Sequence, residues 1–260
     1  MLFVYRILIN FVRIIAPLII LIRVIKKKED KKRFKEKLGF FSIKRKKGKL
    51  IWFHGSSVGE VVSIIPLVEK MENDTTIQTI LITSSTLSSS KVLGRFNFKK
   101  TIHQFFPVDT NFLTKKFLDY WKPSLAVFIE SEIWPNMMIN IKKKSIPLIL
   151  LNARITKKSF NRWQRISFSS NLFKIFNLCL PQNLETQKYL SLLGAKKIKI
   201  LGNLKFSEPK LNNKYELNKK IKKHFNKKKI WCASSTHNTE EIACALAHKK
   251  LKLKYKNLLT

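Results

Sequence analysis

Short apolar runs alternate with helical patterns from residue 50 onward, and this alternation restricts the fold more than any other feature of the chain. Most of the runs are continuous Val, Ile, Leu and Phe without polar alternation, which is typical of parallel strands covered on both faces. Strand–helix alternation at this spacing predicts βαβ units and a doubly wound parallel sheet of the α/β class. The predicted strands are residues 50–53, 77–83, 101–106, 125–129, 147–151, 178–180, 198–201 and 230–233.

Helical patterns fill the gaps between these runs. Pro135 falls in the first turn of the fourth predicted helix, where its missing N–H leaves no hydrogen bond unmade. The predicted helices are residues 58–71, 88–95, 110–121, 134–143, 157–176, 183–193 and about 214–225.

A change in composition marks one domain boundary. Residues 207–229 are polar, basic and poor in aromatic side chains, as expected of a linker, and a new strand and helix follow in residues 230–260. One strand and one helix cannot bury a core of their own. We therefore expect either a second α/β domain that is completed elsewhere or a fragment.

Residues 2–25 are almost wholly apolar, and a helix needs ~20 such residues to span a bilayer. Arg6, Asn10, Arg13 and Pro17 fall on one side of that helix, because each residue turns it by ~100°. The polar stripe suits a membrane-anchor helix that lies in the headgroup plane, or a single-pass helix with snorkelling arginines. A buried first helix of a soluble protein is the alternative. A cleaved signal peptide is not expected, since no small-residue cleavage site follows.

Residues 26–49 form a basic juxtamembrane segment with 13 Lys and Arg against 3 Asp and Glu. Each basic residue near an anionic leaflet contributes about 1 kcal/mol of attraction, and the positive-inside rule places the rest of the chain in the cytoplasm. The whole chain carries a net charge of +36. We expect an anionic membrane surface as a partner, although a Lys-rich coding bias would account for part of the charge.

A basic nucleic-acid-binding module is an alternative interpretation of this charge. However, Lys greatly outnumbers Arg, and neither an RNP nor a helix-turn-helix pattern occurs. No nucleic acid partner is therefore expected.

Polar residues follow the predicted strands at their carboxyl ends. In open α/β sheets, ligands bind in the crevice beyond these ends, so the loops are expected to converge on one binding site. The loops are His54 with Ser56, Ser57, Gly59 and Glu60; Ser84, Ser85 and Thr86; Glu130, Ser131 and Glu132; Asn152 and Arg154; Asn203 and Lys205; and Ser234, Ser235 and His237.

Several of these residues allow two interpretations. Ser57 and Glu60 have the spacing of a capping box, or Glu60 is a catalytic base. Glu130 and Glu132 are either an acidic pair at a helix N-terminus or part of an active cleft. Lys205 is either solvated surface or a site residue. The residues around Ser234 either cap the last helix or present backbone amides to a phosphate.

Metal and disulfide chemistry have little support in the sequence. Cys179, Cys232 and Cys244 are too few and too scattered for a disulfide framework or a zinc site, and no CxxC occurs. The five histidines lack HExxH or any other metal-binding spacing. We expect reduced thiols and no metal.

A set of motifs occurs in a fixed order along the chain: RFKEKLGF, IWFHGSSVGE, TSSTLSS, FFPVD, KPSLAVFIESEIWPN, LLNARI, GNLKF and ASSTHNTEE. Together with the N-terminal apolar segment, they resemble the 3-deoxy-D-manno-octulosonic acid (Kdo) transferases of Gram-negative bacteria, specific for lipid A. The resemblance covers most of residues 33–248.

The resemblance implies a GT-B glycosyltransferase of two Rossmann-like domains. Residues 50–206 would be the N-terminal domain, which binds the acceptor, the lipid A precursor. Residues 230–260 would begin the C-terminal domain, which binds the donor, CMP-Kdo. Kdo would be transferred with inversion and without a metal or other cofactor, at the cytoplasmic face of the cell inner membrane, as a step of lipopolysaccharide biosynthesis.

The resemblance also implies roles for single residues. Glu60 would be the general base, and Glu130 and Lys205 would stabilise the transition state. The chain ends before the family's Arg/His and glycine-rich CMP-binding motifs, so a truncated chain is expected. This leaves open whether it turns over alone or is a non-catalytic membrane-associated remnant. The expected substrate-binding residues are His54, Ser56, Ser57, Gly59, Ser85, Arg154, Asn203, Ser234, Ser235 and His237.

Overall fold

The structure is a computed structural model of the 260-residue chain, and it describes residues 2–204 and 219–260. The chain divides into two compact units, Met1–Pro209 and Lys210–Thr260.

Six parallel strands form the sheet of the first unit, in the order β3-β2-β1-β4-β5-β6. This order confirms the predicted doubly wound sheet. It reverses direction between β1 and β4, and such a reversal opens a crevice at the carboxyl ends of the two strands. The strands are β1 (Leu50–His54), β2 (Thr79–Ser84), β3 (Thr101–Phe105), β4 (Leu125–Ile129), β5 (Leu148–Ala153) and β6 (Leu178–Pro181).

Helices cover both faces of this sheet. Pro135 stands in the first turn of its helix, as predicted. The helices of the first unit are α1 (Leu2–Ile25), α2 (Val58–Ser63), α3 (Ile65–Glu72), α4 (Leu87–Leu93), α5 (Asn111–Trp121), α6 (Pro135–Lys143), α7 (Lys157–Gln164), α8 (Ser169–Phe173) and α9 (Leu184–Leu192).

The sheet separates two apolar cores. Along β1, Leu50 and Trp52 belong to one core, and Ile51 and Phe53 belong to the other. Alternate side chains of a strand point to opposite faces, and here both faces are buried. This two-sided burial explains why the strands are continuous apolar runs in the sequence.

Three predicted elements were wrong. Residues 198–201 are not a strand, because Ile198 makes only an isolated bridge to Cys179 and the apolar side chains that follow are exposed. The helix over 58–71 is broken at Ile64, since Pro66 lacks an N–H and its ring clashes with the preceding turn.

The third wrong element is the helix over 157–176. It is two short helices, α7 and α8, separated after Gln164. Serines stand at 167, 169 and 170, and serine favours helix ends and turns over helix interiors. The break lets Trp163 and Phe173 pack edge to face at 5.7 Å.

The basic segment 26–49 packs against the first unit through its acidic residues. Glu36 is 1% exposed, and its carboxylate accepts hydrogen bonds from Phe105 N (2.8 Å) and Arg33 Nε (2.8 Å). Glu29 accepts from Lys37 Nζ at 2.7 Å and from Arg23 Nε, at the end of α1, at 2.7 Å. Glu36 therefore fixes this segment to the edge strand β3, and Glu29 joins it to the end of α1.

Helix α1 is long and apolar enough to cross a membrane, by length and composition. Only Ala16 and Ile20 are buried, and most of its large apolar side chains are exposed. Its polar stripe faces the domain in part: Arg6 Nε donates to Asn136 Oδ1 (3.1 Å), and the Arg13 guanidinium lies 4.8 Å from the Phe112 ring centre. The helix therefore lies against the domain with its apolar sides outward.

The second unit contains a small βαβ element. Strand β7 (Lys229–Ile230) pairs in parallel with β8 (Leu258–Leu259), and α11 (Glu240–Lys254) connects them. Helix α10 (Lys219–Phe225) precedes β7. The strand predicted at 230–233 is thus only two residues long, and residues 214–218 of the predicted helix lie outside the described residues.

Candidate functional site

The loops after β1 and β4 meet where the strand order reverses, at the carboxyl edge of the sheet. His54, the last residue of β1, is fully buried. Its ring stacks on Phe106 with centroids 3.8 Å apart, and Nδ1 lies 3.0 Å from Thr83 Oγ1. The ring is therefore held rigidly, with Nε2 directed at Glu132. We call the loops that follow the two strands, residues 54–60 and 130–134, the β1–β4 rim.

Glu60 sits in the first turn of α2 and makes the contacts of a helix cap. Its backbone N–H donates to Ser57 Oγ (3.3 Å), and its Oε1 accepts from that hydroxyl (2.9 Å). Its Oε2 accepts from Ser56 N (2.7 Å). These bonds orient the carboxylate toward the rim, so capping and a position in the site coexist in one residue.

Gly55 makes room for this arrangement. A Cβ added at Gly55 would lie 3.0 Å from Glu60 Cβ and 3.2 Å from Ile129 Cδ1. Real Cβ atoms rarely come so close to another atom. A glycine is needed here because the Glu60 side chain packs directly over the loop backbone, against the end of β4.

Three groups converge on one carboxylate oxygen of Glu132, a residue to which the family resemblance assigned no role of its own. Its Oε2 accepts from Ser56 Oγ (2.7 Å), Trp134 Nε1 (2.6 Å) and His54 Nε2 (3.0 Å). Since a carboxylate oxygen only accepts hydrogen bonds, these three groups act as donors. The sequence signal was its place in the segment ESEIWPN, beside Glu130.

The environments of Glu60 and Glu132 shift their pKa values in opposite directions. Burial, and then the charge of Glu132, raises the pKa of Glu60 against the bonds from Ser57 and Ser56; Glu130 adds to the rise. Burial also opposes ionisation of Glu132, but the bonds from His54, Ser56 and Trp134 outweigh it and lower its pKa. Such a split marks one group that stays ionised and one that can exchange a proton.

Glu130 and Asn152 both adopt left-handed backbone conformations, with φ of 55° and 54°. Non-glycine residues in this region cost on the order of 1–3 kcal/mol and concentrate at functional sites. Glu130 directly follows β4, and Asn152 is the next-to-last residue of the adjacent strand β5. Glu130 N donates to Leu151 O (3.0 Å), and Arg154 N donates to Glu130 O (3.2 Å), so the two strand ends brace each other.

Asn152 also holds the segment that contains Asn203. Its Oδ1 accepts a hydrogen bond from Leu204 N at 3.1 Å. The chain is thereby fixed at the carboxyl end of β5 immediately before Lys205. Lys205 itself lies outside the described residues, and its predicted role stays a prediction.

The other predicted residues divide between the two units. Ser85 Oγ lies 3.2 Å from Ser56 Oγ, which joins it to the rim. Ser57, Gly59 and Arg154 are exposed in the first unit. Ser234, Ser235 and His237 are exposed in the second unit, and their binding role stays a prediction.

Metal-binding side chains do not gather within the part of the chain that the structure describes: no three His, Cys, Asp or Glu residues are grouped to hold an ion. All three cysteines are free. Burial raises the pKa of the Cys179 thiol to about 12, which keeps it protonated and inert.

Solved structures share this fold. The chain matches a UDP-GlcNAc 2-epimerase from Neisseria meningitidis with a TM-score of 0.56, 14% identity and coverage of 81% of this chain and 63% of that one. A putative UDP-N-acetylglucosamine 2-epimerase from Listeria monocytogenes gives 0.55 and 13%, covering 82% and 61%. The fold and rim thus define a GT-B-type α/β protein.

The sequence profile of the family described as 3-deoxy-D-manno-octulosonic-acid transferase (kdotransferase) matches residues 32–208. The chain belongs to this family. It is 37% identical to a 3-deoxy-D-manno-octulosonic acid transferase of Rickettsia bellii over 86% of this chain and 53% of that protein. A Haemophilus influenzae protein of the same name is 30% identical, covering 90% and 56%. The chain thus spans little more than half the length of these relatives.

Proposed function

We propose that the chain forms the acceptor-binding part of a Kdo transferase, which transfers Kdo from CMP-Kdo to the lipid A precursor with inversion and without a metal. The observation that carries the proposal is the Glu60 carboxylate, held at the β1–β4 rim with a raised pKa. Family membership supports the sugar that is transferred.

Glu60 acts in this proposal as the general base. An acceptor hydroxyl loses its proton to Glu60 while its oxygen bonds to the anomeric carbon of Kdo. The bond from that carbon to the CMP phosphate oxygen breaks, and CMP leaves with the electron pair. A positioned base contributes about 10²–10⁴-fold to such a step. The raised pKa favours this role, because a more basic carboxylate accepts the proton more readily.

Glu130 and Lys205 stabilise the transition state in this proposal. A lysine ammonium suits the negative charge that develops on the departing CMP, and the Glu130 carboxylate suits positive charge on the Kdo ring. The remaining predicted residues, among them His54, Ser56 and Ser85, orient the substrates. Residues 207–229 would link this domain to the beginning of the donor domain at 230–260.

The proposed membrane attachment rests on α1 and on the basic segment that follows it in the chain. Tyr5, Arg6 and Arg13 contact the rest of the first unit along the helix, so the helix lies on the domain while its apolar sides face outward. We infer a monotopic attachment to the cytoplasmic face of the inner membrane. The acceptor is itself an anionic lipid, and the basic surface would draw the enzyme to the membrane that holds it.

The test is a transfer assay with CMP-Kdo and lipid IVA, using this chain and a version extended by the remaining C-terminal part of the Rickettsia bellii relative. The extended enzyme is expected to form Kdo-lipid IVA. Absence of product from a folded extended enzyme that binds both substrates would contradict the proposal. Salt-sensitive binding of nucleic acid without any lipid dependence would favour the nucleic-acid alternative instead.

A further inference from the structure

Two adjacent residues of α1 reach into the domain at the point where α6 begins. Tyr5 Oη donates to Asp109 Oδ2 at 2.7 Å, and Arg6 Nε donates to Asn136 Oδ1 at 3.1 Å. Asp109 lies in the segment after β3 and is 1% exposed. These polar contacts differ from the rest of α1, which is mostly apolar and exposed.

Asp109 caps α6 from a distance. The residue at the cap position, Trp134, makes no side-chain cap. Instead, Asn136 N donates to Asp109 Oδ2 (3.0 Å) and Met137 N donates to Oδ1 (2.8 Å). A helix start needs partners for its first N–H groups, so the Asp109 carboxylate fixes where α6 begins. Tyr5 completes the set of donors around that carboxylate.

The same helix start is joined to the rim. Trp134 Nε1 donates to Glu132 Oε2, which also accepts from Ser56 Oγ. Ser56 N in turn donates to Glu60 Oε2. A continuous run of hydrogen bonds and short covalent links therefore leads from Tyr5 to the carboxylate of Glu60.

We propose that Tyr5 and Arg6 are positioning residues, which couple the seating of α1 on the domain to the alignment of the loop that carries Glu130 and Glu132. The inference rests on the proposed function for the role of Glu60, but the coupling itself is independent of transfer. When α1 is seated, α6 begins at a fixed place and Glu132 stays beside Glu60. When α1 lifts, the loop loses this support.

Through this coupling, a membrane that binds α1 would influence the arrangement of the rim. The apolar sides of α1 stay exposed when the helix is seated, so insertion of these sides into a bilayer is compatible with the seated arrangement. A ligand shifts an equilibrium only by its difference in affinity for the two states. A bilayer that binds the seated helix more tightly would assemble the rim where the lipid acceptor is present.

The experiment uses the full chain bound to vesicles of phosphatidylethanolamine and phosphatidylglycerol. Tyr5→Phe and Arg6→Met each remove one hydrogen-bond donor, and Arg13→Met is the matched control, because Arg13 packs on the Phe112 ring in the first turn of α5. Amide hydrogen exchange of residues 130–137 is expected to accelerate roughly ten- to hundredfold in the first two variants, as loss of a hydrogen bond to a charged group implies. The control is expected to leave it unchanged.

A second readout separates positioning from general stability. The carboxyl pKa of Glu60, followed by ¹³C NMR, is expected to fall toward its ordinary value in Tyr5→Phe as Glu132 moves away. Burial holds the pKa of Asp109 at about 6, against the bonds from Tyr5, Asn136 N and Met137 N and the influence of His54. Loss of the Tyr5 hydroxyl is therefore expected to raise it further.

Arg6→Lys keeps a donor for Asn136 and is expected to restore slow exchange. Unchanged exchange and an unchanged Glu60 pKa in both Tyr5→Phe and Arg6→Met would overturn the coupling. If Tyr5→Phe does not fold, the same two measurements on Arg6→Met test the coupling. A failed transfer assay with these NMR and exchange effects present would count against the proposed function and leave the coupling standing.

Discussion

Glu60 and Glu132 are joined through one residue, Ser56, whose backbone N–H donates to Glu60 and whose hydroxyl donates to Glu132. The two carboxylates come from loops on neighbouring strands, β1 and β4, at the reversal of strand order. Their shared partner keeps them close while their environments push their pKa values apart. This relationship gives the clearest predictions.

Glu60→Gln is expected to lower transfer by the extended enzyme about 10²–10⁴-fold, because the amide cannot accept a proton from the acceptor. The measurement is the initial rate of Kdo-lipid IVA formation. Asn183→Ala is the matched control: it removes the side-chain cap of α9, costs about 0.5–2 kcal/mol of stability and leaves Glu60 and its partners unchanged. Undiminished transfer by Glu60→Gln together with a lowered melting temperature would assign Glu60 to capping alone.

Glu132→Gln is expected to move the acidic limb of the pH–rate profile to lower pH. Glu60 is inactive as a base when protonated. Because its pKa is raised, activity is lost at a higher pH than it would be with an ordinary glutamate. Removing the Glu132 charge lowers the pKa of Glu60 and extends activity downward. Trp134→Phe removes one hydrogen bond without removing the charge and should shift the limb less. An unmoved limb would show that Glu132 does not act on Glu60.

Gly55→Ala is expected to reduce transfer by displacing Glu60, since the new Cβ would lie 3.0 Å from Glu60 Cβ. Overpacking of this kind costs about 1–3 kcal/mol, which chemical denaturation would measure. Gly94→Ala is the control, because its added Cβ meets only ordinary contacts at 3.5 Å or more. Equal stability and activity in the two variants would mean that the rim has more room than its geometry indicates.

Phe11→Ser and Ile14→Ser are expected to weaken binding to anionic vesicles, each by tenfold or more, since fully burying a large apolar side chain contributes about 1.5–3 kcal/mol. Both side chains are largely exposed on α1, at 62% and 76%, so the fold should survive. Vesicle cosedimentation measures the effect. Leu192→Ser is the control, because Leu192 is similarly exposed, at 59%, on α9. Equal losses in all three variants would argue against α1 as the anchor.

His103 is expected to destabilise the folded chain as pH falls below about 6.5. Burial, and then the Arg33 guanidinium, lowers its pKa to about 3 in the folded chain, while Asp30 acts weakly in the opposite direction. The unfolded chain binds the proton more readily, so the free energy of unfolding drops between these pH values. His103→Gln should flatten this part of the urea-denaturation profile. Parallel profiles for the two proteins would show that folding does not lower the pKa of His103.

The strands were predictable where both faces are buried. Strands such as β1 and β4 are uninterrupted apolar runs because each side chain meets one of two cores. Residues 198–201 contain similar apolar residues but lie beside the edge strand β6, where they lack a second covering layer. The break before α3 had a visible signal in Pro66, which outweighed the apolar periodicity around it.

The location of the site could be predicted from the sequence, but most of the hydrogen-bond partners within it could not. Parallel strands bring their carboxyl ends to one edge, so the loops after β1, β4 and β5 could be grouped from the sequence. The capping of α6 by Asp109 could not be predicted, because its partners Tyr5 and Asn136 are far apart in the chain and meet only after folding. For Glu132, the decisive information was three donor distances.

Strand β1 lies in the middle of the sheet and is paired on both sides, from Leu50 beside Thr79 to His54 beside Phe128. Its pairing therefore fixes the position of the loop that follows it, including Glu60. Inserting one residue within β1 would exchange its two faces, send Trp52 to the wrong core and rotate the loop behind it. The position of the Glu60 carboxylate thus depends on the register of β1 in the interior of the sheet.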